Sequence, residues 1–257
     1  MKKTLQAWFR LFRLVNLPTV PGDVLVGASA ALAWTGTSAQ AGLRTHEVVL
    51  AALSSCFIYL FGLVQNDLLG AKTDIGRPIP EGLISRNAAR TACAVCWWYA
   101  GLCCVRPGDG FPLALMVWFL AMTVLVSAYN ATKRPLLMGL CRGVNVLAGT
   151  LTVVVSCNLP ERGCLAPALS AGLVCAAVWT AYIAGVTKYS EGEETDPARK
   201  ARVGFLIGAL VYLQLGALLF FYLVHPTDLS RGLLIAGAVL LFVLRMMKRA
   251  MPKVSAS

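Results

Sequence analysis

Asn66-Asp67-Leu68-Leu69-Gly70-Ala71-Lys72-Thr73-Asp74 leaves a long apolar segment and runs into Arg77-Pro78-Ile79-Pro80-Glu81-Gly82. On a helix Asp67, Gly70 and Asp74 stand at i, i+3 and i+7, so they share one face, with Asn66 beside it. Such a face offers oxygen ligands in one direction. Mg2+ is held by one or two carboxylates together with substrate phosphates, so a pair of aspartates suffices. A second acidic group, Glu191-Gly192-Glu193-Glu194-Thr195-Asp196, leaves another apolar segment, with Glu191 and Glu194 at i, i+3. Two such sets facing each other would clamp a diphosphate through bridging magnesium ions. Lys72, Arg77, Lys133, Arg134 and Lys188 are the cations available to its oxygens. Either loop alone reads as solvated charge. Both together hold seven of the twelve acidic residues, Asp67, Asp74, Glu81, Glu191, Glu193, Glu194 and Asp196, which favours a site.

Three further polar positions interrupt apolar sequence. Arg142 and Asn145 are i, i+3 within one apolar run, where an unpaired guanidinium is expensive. Arg142 either pairs with a carboxylate of the clusters, binds an anionic ligand, or snorkels to the membrane edge. Asp23 follows Pro18, Pro21 and Gly22. It is either an ionisable group with a task near membrane depth or a cap for a helix restarting at Val24.

The elements that must position these groups are membrane spans. The hydrophobic content is 58%, only 14% of residues are charged, and mean hydropathy is +0.69. Apolar runs near the 20 residues a helix needs to cross a bilayer fall at about 17–36, 47–65, 88–105, 111–130, 136–156, 165–187, 203–224 and 231–247. The expectation is an all-α, polytopic bundle of eight transmembrane helices forming one domain over 1–257. The net charge of +11 is distributed by side. Nineteen Lys and Arg residues fall at the N-terminus, the even-numbered connections and the C-terminus, against Arg44, Arg106, Arg162 and Arg231 on the other face. That bias predicts a cell (inner) membrane protein with both termini and both acidic loops in the cytoplasm. It also accounts for the basic charge without a nucleic-acid partner. The acidic connections follow the second and sixth spans, which suggests two four-helix halves around one polar mouth.

Nine cysteines form no evident framework. Cys93 and Cys96 have CxxC spacing but no second ligand pair, so packing is the better reading than zinc. Cys157 and Cys164 flank an outside loop, where they either pair or stay as thiols. His46 and His225 lie at outside helix ends. Gly139 and Gly143 make a small-xxx-small pair that lets the fifth span pack closely on a neighbour, and allows a homo-oligomer without requiring one.

These residues resemble the UbiA superfamily of intramembrane prenyltransferases, whose first motif, N-D-x-x-D-x-x-x-D, precedes R-P-[IL]-P-x-G-x-[IV]-S. The sequence reads NDLLGAKTD and RPIPEGLIS. The resemblance covers the chain, including FRLVNLPTVPGDVLVGA, YNATKRPLLMGLCRGVNVLAGT and YIAGVTKYSEGEE, and the last blocks are closest to the EboC-like branch. It implies a magnesium-bound isoprenyl diphosphate in a cytoplasm-facing cavity and transfer of the prenyl group to a hydrophobic or aromatic acceptor within the membrane. Carried over by position, Asn66, Asp67 and Asp74 would hold one magnesium, and Glu191 and Glu194 would replace the second aspartate motif. Arg77 and Lys133 would meet the diphosphate.

The departures are Gly70 in place of the middle aspartate, a short interval before Arg77, glutamates in the second motif, and the lack of a ninth span. They motivate an alternative: a UbiA-like protein without catalysis that binds or transports a lipid or specialised metabolite. On the enzymatic reading, Tyr129, Tyr182 and Trp179 are candidate cavity walls. Deprotonation of an acceptor falls to Asp67, Asp74, Asp23 or water, since neither histidine is placed for it.

Overall fold

The computed structural model describes residues 2–35, 45–70, 76–105, 112–157, 164–191 and 196–250. Every described element is helical. A short amphipathic helix α1 (Lys2–Leu11) and a 3₁₀ turn (Leu14–Asn16) lead into α2 (Thr19–Leu32). Then follow α3 (Thr45–Leu69), α4 (Arg86–Leu102), α5 (Leu113–Thr132), α6 (Pro135–Ser156), α7 (Leu165–Ser190), α8 (Pro197–Val224) and α9 (Asp228–Ala250).

Each of the eight expected spans meets one helix from α2 to α9. Six of them, α3 and α5 to α9, are long and apolar enough to cross a bilayer. The other two are shorter than expected, α2 at 14 residues and α4 at 17. The first span starts late because the prolines delay it. Pro18 precedes the helix, and Pro21 falls in its first turn, where a missing N–H costs nothing.

The organisation departs from two successive four-helix halves. One apolar core joins α3, α4 and α5 through Ile58, Phe61, Cys96, Trp118 and Met122. The other joins α7, α8 and α9 through Ala176, Ile183, Leu210, Leu218 and Leu233. Helices α2 and α6 contribute to both, Val24 and Ala148 to the first, Val26 and Val146 to the second. Small residues make this possible. At the crossing of α2 and α6, Gly27 lies against the Val146 carbonyl and Gly149 against the Val24 carbonyl, with no room for a Cβ at either. Gly139 and Gly143 press on the backbone of α7 at Thr180 and Ala176 in the same way. The small-xxx-small face is therefore consumed inside the chain, on α7, and is not the surface on which the homo-oligomer that the sequence allows without requiring would form. Cys96 is buried in the α4 packing, and Cys93 donates to the Phe61 carbonyl, both in keeping with a packing role.

At one end of the bundle α1 closes over the loop that carries Arg77-Pro78-Ile79-Pro80. Ala7 and Leu11 bury against Val64, Ile79, Ile84 and Ala89. Arg10 donates to the Gly76 carbonyl at 2.6 Å and pairs with Glu81 at 3.4 Å. Ser85 then caps α4 by accepting from the Ala88 N–H.

Candidate active site

The last turns of α3 are tied to α5 by amides. Asn130 donates to the Gly62 carbonyl at 2.9 Å and to Gln65 Oε1 at 2.8 Å, and Gln65 donates to Ser127 Oγ at 3.0 Å. This clamp fixes Asn66 and Asp67 at the end of α3. Asn66 Oδ1 accepts a hydrogen bond from Lys133 Nζ. Lys133 ends α5 in the left-handed conformation (φ 56°), so that Arg134 and Pro135 begin α6 at once. Its ammonium also lies 5.6 Å from the Tyr129 ring centre. Asp67 is buried, and Arg77 Nη1 donates to its Oδ1 at 2.5 Å. Asn66 and Asp67 are thus each met by a cationic side chain.

Beneath this mouth lies a cavity of about 120 Å³ between α2, α3, α5 and α6. Its polar lining is Arg13, Ser55, Tyr59, Asn66, Tyr129, Asn130, Arg142 and Asn145. The remainder is apolar, including Val20, Ile58, Met122, Val126 and Met138. Four sequence candidates, Asn66, Tyr129, Arg142 and Asn145, are brought to one hollow.

Behind it Asp23 is fully buried and does not cap its helix. Its carboxylate is the hub of four helices. Arg142 of α6 donates Nη2 to Oδ1 at 3.0 Å and holds Nε 2.9 Å from Oδ2. Asn145 donates to Oδ2 at 3.2 Å, Trp179 of α7 to Oδ1 at 3.0 Å, and Gln214 of α8 to Oδ1 at 2.7 Å. Arg142 and Gln214 also each donate to the Thr19 carbonyl at 2.8 Å. Arg142 therefore neither snorkels nor pairs with the terminal acidic clusters. Its carboxylate partner is Asp23. With both oxygens taken by donors and no place in the cavity lining, Asp23 is an interhelical tie. Trp179 is spent on the same tie. Tyr182 donates to the Leu206 carbonyl at 2.7 Å across α7 and α8, away from the cavity.

The second acidic connection is placed differently. Glu191 pairs with Lys188 at 2.7 Å, both exposed, and its carbonyl accepts from Arg199 at 2.6 Å. Asp196 caps α8, accepting from the Ala198 and Arg199 N–H groups. Neither lines the cavity. Arg134 is exposed at the start of α6. Lys72, Asp74 and Glu194 lie outside the described residues. Among the described residues no three His, Cys, Asp or Glu side chains gather as a metal site.

Sequence reasoning missed Gln214, Ser55, Tyr59, Asn130 and Arg13. Gln214 had the same signal as Arg142, a polar side chain inside an apolar span. Arg13 was counted only as topology charge.

No protein-family model and no curated protein sequence matches the chain. Among solved structures it is similar to a digeranylgeranylglyceryl phosphate synthase, at 16% identity over 99% of this chain and 92% of that one, with a TM-score of 0.54. It also aligns with a UbiA homolog from Archaeoglobus fulgidus bound to Cd2+, at 15% identity over 97% and 95% of the two chains, with a TM-score of 0.48. With its six bilayer-length apolar helices, the chain is a multi-pass membrane protein that has the all-helical fold of the digeranylgeranylglyceryl phosphate synthase.

Proposed function

We propose that this protein is a membrane prenyltransferase that holds an isoprenyl diphosphate at the cytoplasmic end of α3 and transfers its prenyl group to a small hydrophobic or aromatic acceptor. One observation carries the reading. Asn66 lines a cavity within the bundle and Asp67 follows it at the end of α3, with Lys133 and Arg77 donating to their oxygens. Carboxylate, amide and paired cations in that order suit an ion-bridged diphosphate and little else that a bilayer supplies.

The donor chemistry fits magnesium, because the oxygens of Asn66 and Asp67 already attract positive charge from Lys133 and Arg77. Asn66 and Asp67 would hold the ion with Asp74, and Glu191 and Glu194 would serve a second one. Bound there, magnesium would draw negative charge from the diphosphate oxygens. Lys133 and Arg77 would turn from their present partners to those oxygens, taking up charge as the bond to the allylic carbon weakens. Lys72, Arg134 and Lys188 would add to the positive rim. Tyr129 and the apolar lining would keep water from the prenyl fragment.

Magnesium-dependent binding of farnesyl or geranylgeranyl diphosphate to the purified protein tests the reading. Binding that is indifferent to the metal would leave a lipid-handling role as the better account.

A further inference from the structure

Two buried polar atoms on residues that line the cavity have no hydrogen-bond partner among the described residues: Ser55 Oγ on α3 and Asn145 Oδ1 on α6. Both residues line the cavity and are almost fully buried, at 1% and 3% exposure. The amide orientation of Asn145 is not arbitrary. Its nitrogen donates to the Val20 carbonyl and to Asp23 Oδ2, and both of these can only accept. Its oxygen is therefore turned away from α2, and the Asp23 network holds it there.

The two positions also agree in depth. Ser55 lies eleven residues before Asn66 on α3, and Asn145 ten residues after Pro135 on α6, each about 15 Å from the mouth at 1.5 Å per residue. A buried polar atom left without a partner costs about 1–3 kcal/mol. An apolar chain pushed to this depth would leave both unsatisfied. The needs of the pair are complementary: Asn145 Oδ1 requires a donor, and Ser55 can donate to an acceptor. One hydroxyl group satisfies both.

We infer that Ser55 and Asn145 form a hydroxyl-recognition subsite at the floor of the cavity, which selects a ligand carrying an alcohol or phenol at its buried end. The floor requires only the cavity, whereas naming its ligand as the acceptor rests on the prenyl-transfer reading. On that reading the recognised hydroxyl lies about 15 Å from the diphosphate and so is not the reacting group. It orients the acceptor from the far side and keeps an unsubstituted prenyl tail off this floor.

The test compares 4-hexylphenol with 4-hexylanisole, which differ in whether the oxygen carries a proton, by calorimetric titration of the full chain in nanodiscs. The phenol is expected to bind about tenfold more tightly. Asn145→Ala should bring that ratio near one, and Ser55→Ala, whose hydroxyl can donate to the oxygen of either ligand, should weaken the phenol at least threefold. Asn145→Ala also loosens the Asp23 tie, so Ser55→Ala, which removes only an unbonded hydroxyl, is decisive. Equal binding in the parent protein, or phenol binding unmoved by Ser55→Ala, overturns the subsite and leaves a floor satisfied by water. If the ratio behaves as expected while prenyl diphosphates bind without regard to magnesium, the floor stands and the prenyl-transfer reading falls. The opposite pair of results removes the floor alone.

Discussion

Asp23 and Arg142, 119 positions apart, form an ion pair inside the bundle, with the guanidinium Nε 2.9 Å from Oδ2 and the aspartate wholly buried. Removing one member of a buried pair leaves an uncompensated charge, at about 3–5 kcal/mol. Arg142→Leu should therefore lower the melting temperature in detergent sharply, and Asp23→Asn should do so as well. The double variant Asp23→Asn with Arg142→Leu should recover much of the loss. Additive losses would show that the two side chains act independently.

Asp67 meets Arg77 at the end of α3. Asp67→Asn keeps the shape but removes the charge, so magnesium-dependent diphosphate binding should disappear while the fold persists. Gly70→Asp, which restores a carboxylate one turn further along, should raise metal affinity. A titration with Mn2+ reported by its paramagnetic relaxation would follow both.

Lys133 and Arg134 are neighbours with different surroundings. The ammonium of Lys133 is held over Tyr129 and on Asn66, whereas Arg134 faces outward. Lys133→Ala should weaken diphosphate binding by about tenfold, the scale of one charge-assisted hydrogen bond. Arg134→Ala should change it by less than about twofold, in keeping with the small worth of exposed charges. Equal effects would mean that the rim acts only as a diffuse positive field.

Glycines separate close packing from mere helix composition. Gly143→Val places methyl groups on the Ala176 carbonyl and Thr180 and should destabilise the bundle by about 3 kcal/mol or more. Gly185, on α7, has nothing within reach of a Cβ, so Gly185→Ala should stabilise by about 0.5–1 kcal/mol through helix propensity. Thermal melting of the two variants reads both signs.

Much of this was legible before any coordinates. Apolar runs of bilayer length gave the helices because the bilayer leaves the backbone few alternatives, and the close-packing glycines were visible as a pair. Asn66, Tyr129, Arg142 and Asn145 stood out as polar residues at helix ends or inside spans, and they share one cavity. The partner of Arg142 was not legible. Asp23 reaches it from α2, and Trp179 and Gln214 join Asp23 from α7 and α8; single-sequence periodicity carries no record of which helices touch. Ser55 escaped for a related reason, since a serine in an apolar helix commonly bonds to its own backbone. Only the three-dimensional arrangement distinguishes one that does not.

The burial of α2 bears on how the chain is made. Thirteen of its fourteen residues are covered by other helices, and its carboxylate finds its guanidinium on a helix synthesised more than a hundred residues later. At 14 residues, about 21 Å, it is also shorter than the hydrocarbon core of a bilayer. Asp23, fully buried five residues into α2, would otherwise meet lipid at a cost of up to about 2.5–3.5 kcal/mol, the figure for the centre of a span. An apolar helix made well before its partner is thus the one least suited to stand alone, and its settlement in the bilayer waits on the arrival of α6.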